Sequence, residues 1–157
     1  DAEIENLVSR SPNSEKEIRR SVSASPAKEH ILLTGRISSS ELESILKSSA
    51  VLAFPSTYEG FGIPVLEAMA SGVPVVVAKG TPAEKLPGDK SLKVEPYEVD
   101  DWVASLEILL ADGQLREEIA KENIEIAKSY TWDFSAEQLI LSWNKLNSLT
   151  KDKNCDS

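Results

Sequence analysis

Four short apolar segments divide the middle of the chain, and each is predicted to be a β-strand. They are HILLT at 30–34, AVLAF at 50–54, VPVVVA at 73–78 and SLKV at 91–94. The second and third are almost continuously aliphatic, which is typical of parallel strands that are covered on both faces. Helices are predicted between the strands at 40–49 and 64–71, so strands and helices alternate. This alternation predicts an α/β fold with a doubly wound, Rossmann-like parallel sheet.

Beyond the last strand the apolar residues follow the helical period, and C-terminal helices are predicted. Their apolar positions are Trp102, Leu106, Leu109, Leu115, Ile119, Leu139 and Trp143. At the other end, the polar, serine-rich stretch at 8–28 is predicted to hold a short helix within loop. We therefore predict one domain over residues 1–150 and a disordered polar tail over 151–157.

The length, charge and cysteine content of the chain exclude several classes of protein. The chain has 157 residues, 41% of them hydrophobic, which is enough for one domain with a core. Its 17 basic and 26 acidic residues give a net charge of −9, and this balance argues against nucleic acid as a partner. No apolar run is long enough to span a membrane, and a single cysteine, Cys155, excludes a disulfide framework. These features indicate a cytoplasmic protein, and a protein attached peripherally to the inner face of the membrane would share them.

A glycine-rich segment after the second strand carries the candidate chemistry. It reads EGFGIPVLE and runs from Glu59 to Glu67. Ligands of doubly wound sheets bind where the carboxyl ends of strands lead into helices. Gly60 and Gly62 would let the backbone approach a ligand, and Pro64 suits a first helical turn. The N–H groups around Gly62 and Ile63 would then form an anion site.

Two carboxylates flank this anion site, and a sugar nucleotide would explain both. Glu67 could accept hydrogen bonds from ribose hydroxyls, as acidic residues do in dinucleotide-binding folds. Glu59 could do the same for a sugar, while the backbone N–H groups bind the diphosphate. A plain tight turn, with a glutamate placed to suit the helix dipole, explains the residues alone equally well.

A longer stretch, PSTYEGFGIPVLEAMASGVPVV, resembles the donor-site signature of retaining glycosyltransferases of family 4, the glycosyl transferases group 1. The resemblance extends upstream through LTGRISSSELESILKSSAVL and downstream to YTW at 130–132, and it covers nearly residues 1–148. It implies the GT-B fold, in which two Rossmann-like domains face each other. This chain would be the latter part of the C-terminal, donor-binding domain, without its first strands.

The resemblance also implies roles for individual residues. Glu59 would be the catalytic residue, facing the donor sugar and its reacting carbon. The implied donor-binding residues are Gly35, Arg36, Ile37, Gly60, Phe61, Gly62, Ile63, Pro64 and Glu67. Residues 35–37 would line the base pocket, the glycine-rich loop would contact sugar and phosphate, and Glu67 would bind the ribose. No metal and no separate cofactor are expected, because the nucleotide sugar is itself the substrate.

The implied reaction moves a sugar from a UDP- or GDP-sugar to a glycan or lipid-linked acceptor, with retention, as in polysaccharide biosynthesis. The form VEPYEVDDW favours mannose slightly. The acceptor would bind through an N-terminal domain that this chain lacks. The chain also lacks the basic pair that family members carry after an earlier strand, since Arg19 and Arg20 are the nearest pair and lie in a polar helix.

Two other functions remain open at this point. One is a non-catalytic sugar-nucleotide-binding domain, which the missing basic pair favours. The other is a sugar-nucleotide epimerase, against which the single histidine, His30, counts. We further expect the chain alone to be inactive. The segment at 30–34, as third strand of the family's sheet, would either stay unpaired or close onto the segment at 50–54.

Overall fold

The computed structural model describes residues 15–153, with side chains up to residue 146. The chain divides after Ser38 into two compact units. Residues 1–14 and 154–157 lie outside the described range. Cys155, the start of the predicted domain and the end of the predicted tail therefore lie outside it as well.

The first unit contains the short helix that the polar N-terminal stretch predicts. This helix, α1, spans Glu15–Ala24, and a 3-10 turn, η1, spans Lys28–His30. No residue of α1 is buried. Arg19 forms an ion pair with Glu15 over 2.6 Å, one helical turn apart. An exposed pair of this kind stabilises a helix by only about 0.3–0.5 kcal/mol.

The strand predicted at 30–34 is not formed. His30 ends η1, and the residues after it belong to no sheet within the described part of the chain. Leu32 is 83% exposed. A strand needs a neighbour that accepts and donates its backbone hydrogen bonds, and an apolar sequence cannot supply one. The segment is therefore unpaired, which is the first of the two outcomes expected above.

The second unit contains a parallel sheet built from the other three apolar segments, as predicted. Its strands are β1 (Leu52–Phe54), β2 (Val75–Ala78) and β3 (Leu92–Val94), in the order β1-β2-β3. Ala53 pairs with Val76, and Val77 pairs with Lys93. All four residues of β2 are buried. The aliphatic run at 73–78 thus predicted a central strand correctly.

Helices precede and follow these strands in the predicted alternation. The second unit contains α2 (Ser39–Ser48), α3 (Ile63–Ala70), a 3-10 turn η2 (Pro82–Lys85), α4 (Val99–Ala111), α5 (Gly113–Ala127) and α6 (Trp132–Lys153). The last helix continues three residues into the predicted tail, whose remainder is outside the described range. No helix in the described range is both long and apolar enough to cross a membrane.

The side chains of β2 point alternately into two apolar cores. Val75 and Val77 pack in one core with side chains from α2, α3 and η2, and Val76 and Ala78 pack in the other with side chains from β3, α4 and α5. Successive residues of a strand point to opposite faces of its sheet. Helices therefore cover both faces, and the predicted doubly wound arrangement is confirmed.

A buried amide ties the loop before β3 to α5. Asn123 is fully buried, and its Oδ1 accepts a hydrogen bond from the backbone N–H of Gly88 over 3.1 Å. Its Nδ2 donates to Ser91 Oγ over 3.1 Å. In addition, Arg116 donates to Leu110 O over 2.9 Å and so caps the end of α4. These contacts hold α5 against the loop before β3 and against the end of α4.

Candidate functional site

The loop from β1 to α3 contains the central residues of the candidate site, and Gly62 determines its shape. Gly62 is the N-cap of α3, with a φ of 106° and a ψ of 43°. A Cβ on this residue would lie 2.7 Å from Ala83 Cβ and 3.1 Å from Leu86 Cδ1. Only glycine meets both conditions, since other residues rarely adopt this φ and any side chain would collide with η2.

The two glycines differ in the space around their Cβ positions. At Gly60 a Cβ would meet nothing within 4 Å. At Gly62 the space is filled by Ala83 of η2 instead. The missing side chain of Gly62 therefore lets the loop pack on Ala83, and this packing fixes where α3 begins.

The first backbone N–H groups at the start of α3, where an anion site is predicted, have no acceptor in the described range. Gly62 O accepts hydrogen bonds from the N–H groups of Val65, over 3.0 Å, and Leu66, over 3.2 Å. The N–H groups of residues 60–63 donate no hydrogen bond to any residue in the described range. Pro64, in the first turn, has no N–H to satisfy. The unsatisfied donors and the helix dipole together favour an anion in front of Ile63.

Glu59 lies at the entrance of this loop, held by a neighbouring hydroxyl. Ser56 Oγ donates a hydrogen bond to Glu59 Oε1 over 2.9 Å, in a partly buried setting. The same hydroxyl lies 3.3 Å from Tyr58 O. The carboxylate of Glu59 thus has a defined position next to the unsatisfied N–H groups that follow it in the chain.

Glu67 lies one helical turn into α3 and is exposed. It lines a groove of about 480 Å³ between α2 and α3. The other lining residues are Ser39, Leu42, Glu43, Leu46, Lys47, Ala70 and Ser71. In this groove Lys47 forms an ion pair with Glu43 over 2.5 Å, and its hydrogen bond and charge lower the pKa of Glu43. Glu67 has no such ion-pair partner among the described residues, and its carboxylate is exposed.

The structure brings only some of the predicted residues together. Glu59 to Pro64 and Glu67 share one loop and the first turns of one helix. Gly35, Arg36 and Ile37 belong to the first unit, where Gly35 has a φ of 62°, a conformation that favours glycine, and Arg36 is exposed. No group of three or more potential metal ligands occurs in the described range.

Two contacts of this loop are not evident in the sequence. Ala83 of η2 and Leu86, which directly follows η2, pack on Gly62, although the sequence around η2 shows only a turn with a proline. The ring of Phe61 contacts the ring of Tyr130 edge to face, with centroids 5.9 Å apart. The only sequence signal for the second contact is that Tyr130 opens the YTW motif; its partner could not be inferred.

Comparison with known proteins identifies the family. The model of the family described as Glycosyl transferases group 1 matches residues 6–126. The chain belongs to this family. Glu59 to Pro64 and Glu67 lie within the matched residues, as do the strands of the sheet.

Individual relatives give the same assignment. The chain is 33% identical over 112 residues to the O-antigen chain mannosyltransferase B of Escherichia coli, covering 71% of this chain and 29% of that protein. It is similar to the solved C-terminal domain of a glycosyl transferase group 1 family protein from Francisella tularensis (29% identity, TM-score 0.65, 73% of this chain and 60% of that one). It spans less than a third of the length of the curated relatives that it matches.

A third similarity is to a solved structure of low sequence identity, and it shows the fold alone. The solved structure of Anabaena HepE in complex with UDP and glucose has a TM-score of 0.71 at 23% identity, over 83% of this chain and 36% of that one. These structural neighbours are GT-B glycosyltransferases. The predicted fold, part of the C-terminal domain of a GT-B protein, is confirmed.

Gly62→Ala tests how the loop is held. An alanine there should lower the free energy of unfolding by about 2–5 kcal/mol, because strain at positive φ and the collision with Ala83 add. Gly80→Ala is the matched control, since Gly80 has a φ of 76° and nothing within 4 Å of its Cβ position. The control should lose only the backbone part, about 1–2 kcal/mol. Equal losses in urea unfolding would show that the contact with η2 contributes nothing.

Proposed function

We propose that this chain is the donor-binding part of a retaining glycosyltransferase of family 4. Such an enzyme moves a hexose from a UDP- or GDP-sugar to a glycan or lipid-linked acceptor. The observation that carries the proposal is the arrangement around α3: residues 60–63 have unsatisfied N–H groups, Glu59 precedes them in the loop, and Glu67 follows them in the first turns of α3. Membership of glycosyl transferases group 1 supports it.

Each part of this arrangement suits one part of a sugar nucleotide. The N–H groups in front of Ile63 would bind the diphosphate and stabilise the charge that develops on it as it leaves. Glu67 would accept hydrogen bonds from the two ribose hydroxyls in the groove between α2 and α3. Glu59, fixed by Ser56, would face the hydroxyls of the sugar next to the bond that breaks. Gly35, Arg36 and Ile37 remain proposed contacts of the base.

We favour mannose as the sugar, and the inner face of a membrane as the site of action when the acceptor is lipid-linked. The mannosyltransferase named among the relatives supports the first choice, and the UDP and glucose bound to HepE keep UDP-glucose as the alternative donor. No metal takes part in the proposal, since backbone groups bind the phosphates.

One observation favours a non-catalytic sugar-nucleotide-binding domain instead. Arg19 belongs to the basic pair nearest to the family's position, Arg19 and Arg20, and its guanidinium donates to Glu15 Oε1 over 2.8 and 2.6 Å. In this alternative the site would bind the nucleotide sugar without transferring it. An epimerase has less support, because His30 is exposed at the end of η1 and is the chain's only histidine.

Glu67→Ala should weaken nucleotide binding in the complete gene product. Losing hydrogen bonds to a charged group costs on the order of 1–3 kcal/mol, so the Kd for UDP or GDP should rise roughly 5- to 150-fold. Glu43→Ala is the matched control, because Glu43 lines the same groove but is paired with Lys47. Calorimetric titration that finds no difference between the two variants would refute the ribose assignment.

Glu59→Gln should lower turnover more than it lowers nucleotide affinity, because the residue faces the reacting sugar. Ser56→Ala, which removes only the hydroxyl that holds the carboxylate, should cause a smaller loss of the same kind. The measurement is kcat for sugar transfer beside the Kd for the nucleotide. Equal losses in both quantities would place Glu59 against the nucleotide instead.

Residues 1–157 alone should transfer no sugar. The segment at 30–34 pairs with no strand in the described range, and the chain spans less than a third of the length of the curated relatives that it matches. Release of UDP or GDP from the sugar nucleotides, with and without acceptor, provides the measurement, and the complete gene product is the positive control. Acceptor-dependent transfer by the chain alone would contradict the expectation.

A further inference from the structure

The loop from Glu59 to Gly62, here named the donor loop, has a single side chain at its middle. Phe61 stands between Gly60 and Gly62 and carries the only side chain in that stretch. Its ring meets the ring of Tyr130 edge to face, at a centroid distance of 5.9 Å and an angle of 70°. Edge-to-face pairs are a favoured aromatic geometry. Tyr130 comes from the junction of α5 and α6, far along the chain.

The rest of the loop is held only at its ends. At the N-terminal end of the loop Ser56 donates a hydrogen bond to Glu59, and at the C-terminal end Ala83 packs on Gly62. Between these points the N–H groups donate no hydrogen bond to any residue that the structure describes, and the Cβ position of Gly60 is open. Because glycine has the widest choice of backbone conformations, the Phe61 ring is what restrains this stretch.

Tyr130 is well placed to act as an anchor, because its backbone is fixed. Its N–H donates to Ala127 O over 3.0 Å, and the next residue, Thr131, accepts at Oγ1 from the N–H of Phe134 over 3.1 Å. The Tyr130 hydroxyl makes no hydrogen bond with the described residues. The ring, and not the hydroxyl, therefore makes the contact.

We infer that Tyr130 is a positioning residue for the donor loop. Its ring holds Phe61, and Phe61 holds the N–H groups of residues 60–63 in the orientation that an anion requires. That this anion is the diphosphate of a sugar nucleotide rests on the function proposed above. The inference adds a residue from the α5–α6 junction to the binding of the leaving group.

Both rings are partly exposed, so their contact is distinct from the packing of a closed hydrophobic core. Phe61 is 40% exposed and Tyr130 is 39% exposed, at the edge of an open cleft of about 320 Å³ that Ile63, Leu66 and Trp132 also line. Removing one ring leaves no closed cavity, so the domain should still fold. Loss of the contact should instead release the loop.

The test compares nucleotides with and without phosphate in the complete gene product. Tyr130→Leu should raise the Kd for UDP or GDP about two- to tenfold, the range expected for losing one aromatic pair. It should leave the Kd for uridine or guanosine unchanged. Tyr130→Phe should behave like the wild type, and Tyr97→Leu, at a tyrosine that is 82% exposed, is the matched control. Equal weakening of nucleoside and nucleotide, or no weakening, would overturn the inference.

A second readout does not depend on any ligand. Chymotrypsin cleaves after phenylalanine, and cleavage of a native protein follows local opening. Cleavage after Phe61, followed by mass spectrometry, should be about two- to tenfold faster in Tyr130→Leu, and unchanged in Tyr130→Phe. Unchanged cleavage would refute the anchor. If the wild type binds neither UDP nor GDP while cleavage accelerates as expected, the proposed function fails and the anchor stands.

Discussion

The absence of a side chain at Gly62 is the constraint on which the candidate site depends. Because Gly62 has no Cβ, Ala83 of η2 and Leu86 just after η2 can pack against its backbone. This contact joins the loop after β1 to the loop after β2 and fixes the residue at which α3 begins. The direction of the unsatisfied N–H groups, and the positions of Glu59 before them and Glu67 after them, follow from it.

The contact is firm because η2 belongs to the core of the domain. Thr81 Oγ1 donates to Ala78 O over 3.1 Å, and Gly80 N–H donates to Glu84 Oε2 over 2.8 Å, so the turn is bonded to the end of β2 and to itself. Leu86 lies in the same apolar core as Val75. The site is therefore positioned by the packing that stabilises the sheet. A site built this way keeps its geometry without a ligand, which is what electrostatic preorganisation requires.

The features that could be predicted from the sequence are those that depend on residues close together in the chain. The strands at 52–54, 75–78 and 92–94 and the helix that starts at Ile63 follow from local patterns: aliphatic runs, and a glycine and a proline at a helix start. The segment at 30–34 shows the limit, since its apolar pattern is real but pairing depends on another strand. The contacts of Gly62 with Ala83 and of Phe61 with Tyr130 join residues distant in sequence, and no local period reveals them.

The charges of the site decide which anion it can hold. A helix N-terminus attracts an anion by about 0.3–1 kcal/mol at an exposed position, whereas two like charges 4 Å apart in water repel by roughly 1 kcal/mol. With Glu59 before these N–H groups in the chain and Glu67 after them, phosphate alone would gain little. Each hydrogen bond from a hydroxyl to a carboxylate adds about 1.5–3 kcal/mol, which is enough to reverse the balance. In the proposed function, the two carboxylates would therefore favour a diphosphate that has hydroxyl groups on both sides over free phosphate. A sugar nucleotide has this order of groups, with the ribose on one side and the sugar on the other.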